Sequence, residues 1–185
     1  MGKDRVHYIR NRPELTRYCE RIKNIPCPHC AMIGHLNRHG FLRGYAQEGH
    51  ERIVRGRRFF CCNRGRRRGC GHTFSVLFAH LLRHLIVQTG RLWAFLLAIC
   101  AGLSVQASCE KNLSAFALQT GYRLWKRFLR SQTHLRTRLS RICAPPSSSA
   151  KKSFIHVIHH LRTAFPGARC PLAAFQERLQ QPILT

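Results

Sequence analysis

Residues 58–75 read RFFCCNRGRRRGCGHTFS, with Cys61, Cys62 and Cys70 set among Arg58, Arg64, Arg66, Arg67 and Arg68. What those thiols do decides the fold. Upstream, residues 26–30 read PCPHC, and the two-residue gap between Cys27 and Cys30 lets both thiolates reach one Zn²⁺ at about 2.3 Å. Gly34 follows the first pair and Gly71 the last cysteine, where backbone amides have to fold back towards the sulfurs. About thirty residues separate the halves, enough for a β-hairpin or three-stranded sheet that brings them to a common point. Strand alternation puts Phe59 and Cys61 on one face and Phe60 and Cys62 on the other, so one cysteine of that pair faces the metal. The competing reading, small buried hydrophobes, is weakened because residues 25–77 hold few large aliphatics to make a core without a metal staple. His29, His35, His39 and His72 are rival ligands, but four sulfurs already complete a tetrahedron.

The composition sets the partner class. The chain has 185 residues, 32 Lys plus Arg against 7 Asp plus Glu, a formal charge of +25, and 44% hydrophobic residues. That apolar content argues for packed structure rather than disorder, and that charge recruits polyanions, of which nucleic acid is the commonest. Arginines run from Arg5 to Arg178 instead of gathering on one amphipathic helix, which speaks against a membrane surface. The longest uncharged apolar run, residues 92–109, turns small and polar in its second half and falls short of a span. The opening MGKDRVHYIRNRPEL has charges and a proline where a secretory signal needs an apolar core. The ten cysteines are therefore expected in a reducing compartment, the cytoplasm, free unless bound to metal.

The chain divides by composition into a basic leader (1–24, with a short helix near Glu14 to Ile22), a ribbon (25–77), a helical bundle of four or five helices (78–143), a linker containing APPSSSAKK (144–152) and a helical tail (153–185). VLFAHLLRHLIV (76–87) and RLWAFLLAICAGL (91–103) are apolar round much of a helix and are expected to form the bundle's core, with Gly90 and Gly102 at their ends. In residues 112–132, Ala117 and Gly121 stand four apart, as the tight turn of a helix-turn-helix prefers. The following helix gathers Leu124, Trp125, Phe128 and Leu129 on one side and Arg123, Lys126, Arg127 and Arg130 on the other. A helix with aromatics behind and cations in front is built like a major-groove reader; the plain alternative is a solvated basic face. HLRTRLSRI repeats the pattern. The tail places Leu172, Phe175, Leu179 and Ile183 at helical intervals, suited either to docking on another protein or to packing back on the bundle.

CPHC, then GHLNRHGFLRGY, then RGRRFFCCNRGRRRGCGHTFSVL resembles the N-terminal zinc ribbon of insertion-sequence transposases and their small DNA-binding partner proteins. The resemblance covers about fifty residues. It implies structural zinc, one per chain, on Cys27, Cys30, Cys61 and Cys70, since the third ligand of such ribbons is the cysteine after the aromatic. This chain departs from the pattern in its last knuckle, where eight residues, CNRGRRRG, separate Cys61 from Cys70. The expected fold is a small β zinc ribbon followed by an all-α bundle with a helix-turn-helix-like unit, α+β overall. The expected partner is double-stranded DNA, contacted by Arg64, Arg66, Arg67 and Arg68 on the loop and by Arg123, Lys126, Arg127 and Arg130 on the helix. The resemblance further implies a bacterial, nucleoid-associated protein and a transposase or recombinase subunit met through the tail; the oligomeric state, a homodimer included, stays open.

No catalytic residue is expected. Two-metal DNA cleavage needs clustered carboxylates, whereas Asp4, Glu14, Glu20, Glu48, Glu51, Glu110 and Glu177 are scattered. His156, His159 and His160 are followed by no tyrosine of the kind a nickase uses, and they read as a helix face. Two other readings remain beside transposase-associated DNA recognition: a basic zinc-ribbon protein that binds RNA, and a non-enzymatic assembly factor.

Overall fold

A computed structural model describes residues 5–47, 51–147 and 152–184. The chain forms two compact units, Met1–Ala79 and His80–Thr185, an α+β fold in which one unit holds the sheet and the other is helical.

The first unit is a four-stranded sheet of β1 (Val6–Ile9), β2 (Leu36–Tyr45), β3 (Arg52–Cys61) and β4 (Thr73–Phe78), in the order β1-β4-β3-β2. Strands β2, β3 and β4 are antiparallel neighbours, while β1 pairs parallel with β4, Val6 opposite Ser75 and Ile9 opposite Phe78. Parallel neighbours need a crossover, and helix α1 (Arg12–Glu20) with the short 3-10 turn Ile22–Asn24 begins it. Asn11 caps α1 by accepting from the Glu14 amide at 3.0 Å, and the Glu14 carboxylate accepts from the amide of Arg10, the residue before the cap, at 2.6 Å. Pro13 sits in the first turn, where its missing N–H costs nothing. Helix α1 lies on the sheet face bearing Phe59: the Tyr18 ring is 5.5 Å from that of Phe59 and 5.2 Å from that of His7. On the opposite face Tyr8, Leu77 and Ala79 pack with Val6 and Leu42. Gly56 lets β3 and β4 approach, because a side-chain carbon there would stand 2.0 Å from the Val76 carbonyl oxygen.

Residues 5–24, expected as a basic leader, are thus part of the sheet unit. VLFAHLLRHLIV, expected as a helix, is not one: its first three residues end β4, and Leu81 bridges to Gln88 beyond. An apolar run of that length satisfies a buried strand as well as a helix, and pairing with both β1 and β3 decides for the strand.

The second unit contains α2 (Thr89–Cys100), α3 (Val105–Asn112), α4 (Leu118–Leu139), α5 (Ser153–Ala164) and α6 (Pro171–Leu179). Three helices lie between residues 78 and 143 where four or five were expected, because α4 continues unbroken through HLRTRL. Gly90 lies inside the first turn of α2 rather than at a helix end, whereas Gly102, at φ +96°, follows α2 in the turn that ends it. One core joins Leu92, Phe95, Leu96, Leu124, Phe128, Leu135, Leu139, Val157, Leu161, Leu172, Phe175 and Ile183. Residues 153–184 therefore complete the bundle. Leu172, Phe175 and Ile183 are buried in this core and Leu179 packs against it, as the packing-back alternative expects. The buried Gln176 amide fastens α6 by donating to the Leu81 carbonyl at 3.0 Å and accepting from the Ile183 amide at 3.3 Å. No helix among the described residues is long and apolar enough to cross a membrane. Part of the expected linker, residues 148–151, lies outside the described residues.

Candidate metal centre and basic faces

Cys27 and Cys30 stand on the knuckle between the 3-10 turn and β2; Cys61 ends β3, and Cys70 precedes β4. Their four sulfurs all lie within 4.8 Å of one another. Cys27 Sγ is 3.7 Å from Cys70 Sγ, and Cys30 Sγ is 3.8 Å from Cys61 Sγ. Four sulfurs at about 2.3 Å from a tetrahedral ion are about 3.8 Å apart, whereas a disulfide needs about 2.05 Å. The group could hold a metal ion, and its all-thiolate donor set suits zinc.

The backbone is arranged around the sulfurs. The His29 amide donates to Cys27 Sγ and the Cys70 amide to Cys61 Sγ, each at 3.4 Å. The Met32 amide is the main reason that the Cys30 pKa falls to about 7, while burial pushes Cys61 up to about 12 and raises Cys70. Burial thus resists ionisation at two of the four thiols, and a bound divalent cation would supply the charge that lets four thiolates coexist. Cys62, one residue on from Cys61, lies outside the cluster; its backbone instead pairs with the His35 carbonyl. Nor do the four rival histidines join it. The rings of His29 and His72 stack at 5.0 Å, with their nitrogens close to the Thr73 and Cys70 carbonyls.

The long second knuckle, between Cys61 and Cys70, closes on itself. The Gly69 amide donates to the Cys62 carbonyl at 3.0 Å and the Gly71 amide to the Cys61 carbonyl at 2.9 Å, so the intervening residues bulge outward while Cys61 and Cys70 meet. A side-chain carbon on Gly69 would stand 2.3 Å from Cys62 O and 2.7 Å from Cys61 Sγ; only glycine fits this close approach. Arg64, Arg66, Arg67 and Arg68 are exposed on the loop. Arg67 is held by Asn37 Oδ1 at 3.2 Å, and the same oxygen accepts from Lys23 Nζ at 2.7 Å. Two cations share a neutral acceptor there, an arrangement that no spacing in the sequence signals.

On α4, Leu124, Phe128, Ser131, Leu135 and Leu139 are buried, and Arg123, Lys126 and Arg130 are exposed on the far side, with Arg127 half-buried at its edge. Leu129, expected inward, is 39% exposed. Helices α3 and α4 follow each other across residues 113–117. Ala117 caps α4, and Gly121 lies in its first turn, not in the connection. A side-chain carbon on Gly121 would stand 2.7 Å from Cys109 Sγ, so this glycine serves the approach of the two helices. His156, His159 and His160 lie on α5, where His160 is buried with Nε2 3.1 Å from the Cys143 carbonyl. No protein-family model, curated protein or solved structure matches the chain.

Proposed function

We propose that this is a zinc-ribbon DNA-binding protein of a mobile element, associated with a transposase, that recognises element or promoter DNA without cutting it. Cys27, Cys30, Cys61 and Cys70 hold one structural Zn²⁺, which supplies cross-linking and no catalysis. The observation that carries the reading is the four-sulfur cluster with an arginine loop bulging from between two of its members. A metal clasp fixes the loop's roots, so Arg64, Arg66, Arg67 and Arg68 meet phosphates with little ordering left to lose. Lys23 and Arg67, sharing only a neutral amide oxygen, gain a true counter-charge when a phosphate arrives. Helix α4, second of a helix-turn-helix-like pair, presents Arg123, Lys126, Arg127 and Arg130 to the duplex, phosphate contacts giving grip and base edges giving register. Guanidinium forks suit both.

The test is a salt titration of duplex binding by the zinc-loaded protein. Replacing Arg123, Lys126 and Arg130 together with alanine should leave the fold intact, weaken binding, and flatten the slope of log K against log salt by roughly 2.7, at about 0.9 for each phosphate no longer neutralised. A slope unchanged by that triple replacement excludes α4 from the interface, and duplex affinity indifferent to salt overturns the reading as a whole. Metal analysis should find one zinc per chain; iron in its place overturns the zinc assignment.

A further inference from the structure

The β2–β3 hairpin carries a surface that neither the metal cluster nor α4 explains. Phe41, Arg43 and Tyr45 alternate along β2 and are all exposed, while Leu42 between them joins the packed opposite face. Phe41 is 51% and Tyr45 49% exposed, large values for rings on a sheet. Each has a guanidinium from β3 against it: Arg57 lies 4.4 Å from the centre of the Phe41 ring, and Arg52 lies 5.8 Å from that of Tyr45. Register places these partners directly opposite, Phe41 across from Arg57 and Tyr45 across from Arg52. Between them β3 bulges at Arg55, whose side chain crosses Gly44; a side-chain carbon on that glycine would stand 2.5 Å from Arg55 Cδ. The described acid of this hairpin is Glu51, at its tip rather than among the rings. The Arg57 Nε is buried without a hydrogen-bond partner, its Nη1 donates to Cys19 Sγ at 4.0 Å, and the Phe41 ring lies against the guanidinium.

Exposed rings alternating with arginines fit one ligand chemistry well: unpaired bases, whose flat faces stack on the rings, joined by phosphates that meet the guanidinium groups. A duplex hides its base faces, and an acidic peptide has no flat faces to offer. We infer that the Phe41–Arg43–Tyr45 face of the hairpin, with Arg52 and Arg57, binds single-stranded DNA by stacking bases on Phe41 and Tyr45. The two rings are about 13 Å apart along the strand, so one oligonucleotide spans both. The choice of DNA rests on the function proposed above; the stacking surface does not.

The experiment measures, by fluorescence anisotropy at fixed salt, binding of the zinc-loaded full chain to a thymidine strand of about twelve nucleotides, to an abasic strand of equal length and charge, to the matching uridine RNA and to duplex DNA. The parent should prefer the thymidine strand to the abasic one. F41A and Y45A should each weaken thymidine-strand binding by roughly 5- to 150-fold, F41W and Y45F should retain it, and duplex affinity should hold in all four. Equal affinity for thymidine and abasic strands, or thymidine binding unmoved in F41A and Y45A, overturns the stacking surface. Tighter binding of the RNA, lost in the same variants, overturns the choice of DNA. Failure of the DNA-binding reading shows elsewhere, as duplex binding indifferent to salt.

Discussion

Gly69→Ala tests whether the arginine loop and the metal cluster are one construction. The added carbon would lie 2.3 Å from Cys62 O, 2.7 Å from Cys61 Sγ and 2.8 Å from Cys62 C. None of these is the free end of a flexible side chain, so relief requires the backbone to part by about 1 Å to regain ordinary contact distance. That motion breaks the 3.0 Å bond from the Gly69 amide to Cys62, costing about 1 kcal/mol, and overpacking adds roughly 1–3 kcal/mol. The sulfur of Cys61 moves with it, by more than the roughly 0.2 Å a metal site tolerates. If the cost of about 2–4 kcal/mol falls on metal binding, affinity drops roughly 30- to 1000-fold. Gly65→Ala is the control in the same loop: Gly65 has φ +65° and nothing within 4 Å of its added carbon, so the change carries only the left-handed penalty of about 1 kcal/mol, roughly fivefold. Competition against a chromophoric chelator measures both variants, and the Co²⁺ spectrum of each reports whether four thiolates remain. If Gly69→Ala binds metal as Gly65→Ala does, with the same spectrum, the loop does not hold Cys61 in place and the reasoning fails.

Cys61→Ser should abolish stoichiometric zinc while Cys62→Ser retains one zinc per chain by metal analysis; the reverse result would exchange their places in the cluster. Phe175→Ala should destabilise the helical unit by roughly 3–5 kcal/mol in chemical denaturation, because the ring is fully buried; a change below about 1 kcal/mol would mean that α6 is not part of the core. Burial first, then the Arg138 charge, lowers the His134 pKa, so the unfolded chain takes up this proton more readily than the folded one. That contribution to stability is fully present above about pH 6.5 and is lost as pH falls through the unfolded-state value towards the lowered one. His134→Gln should therefore flatten the acid side of the stability profile, and identical profiles for the two proteins would exclude the effect.

The cysteine cluster was legible because metal chemistry constrains spacing: Cys27 and Cys30 announce a knuckle, while alternation along the strand says only that Cys61 and Cys62 face opposite ways, and the choice of Cys61 came from the resemblance. The α4 face was legible for a similar reason, since burial of Leu124, Phe128, Leu135 and Leu139 follows directly from helical period. Strand β1 was not. Its four residues lie among arginines, and what makes them a strand is pairing with β4 some seventy residues away, a non-local term absent from any window of sequence. The same pairing converted residues 76–78 from expected helix to strand. Gly121 shows a different limit. A glycine four residues after an alanine fits a tight turn and a close helix approach equally, and Cys109 on the facing helix decides between them.

The loop between Cys61 and Cys70 illustrates how a long connection can leave a four-sulfur cluster intact. Eight residues between two ligands would ordinarily widen the cost of bringing them together, but that cost grows only logarithmically with loop length. Two backbone hydrogen bonds, from Gly69 to Cys62 and from Gly71 to Cys61, reduce the effective closure to the residues flanking the sulfurs. The residues between them bulge away from the sulfurs. That bulge accommodates a loop containing Arg64, Arg66, Arg67 and Arg68, a cluster of like charges that repels itself, beside a four-thiol cluster in which Cys27 and Cys61 are buried. The repulsion acts at the exposed tip, where solvent and salt screen it, while the closing bonds lie at the base. A phosphate backbone approaching the tip would relieve the same repulsion, so the feature that strains the free loop would favour a polyanionic ligand over a neutral one.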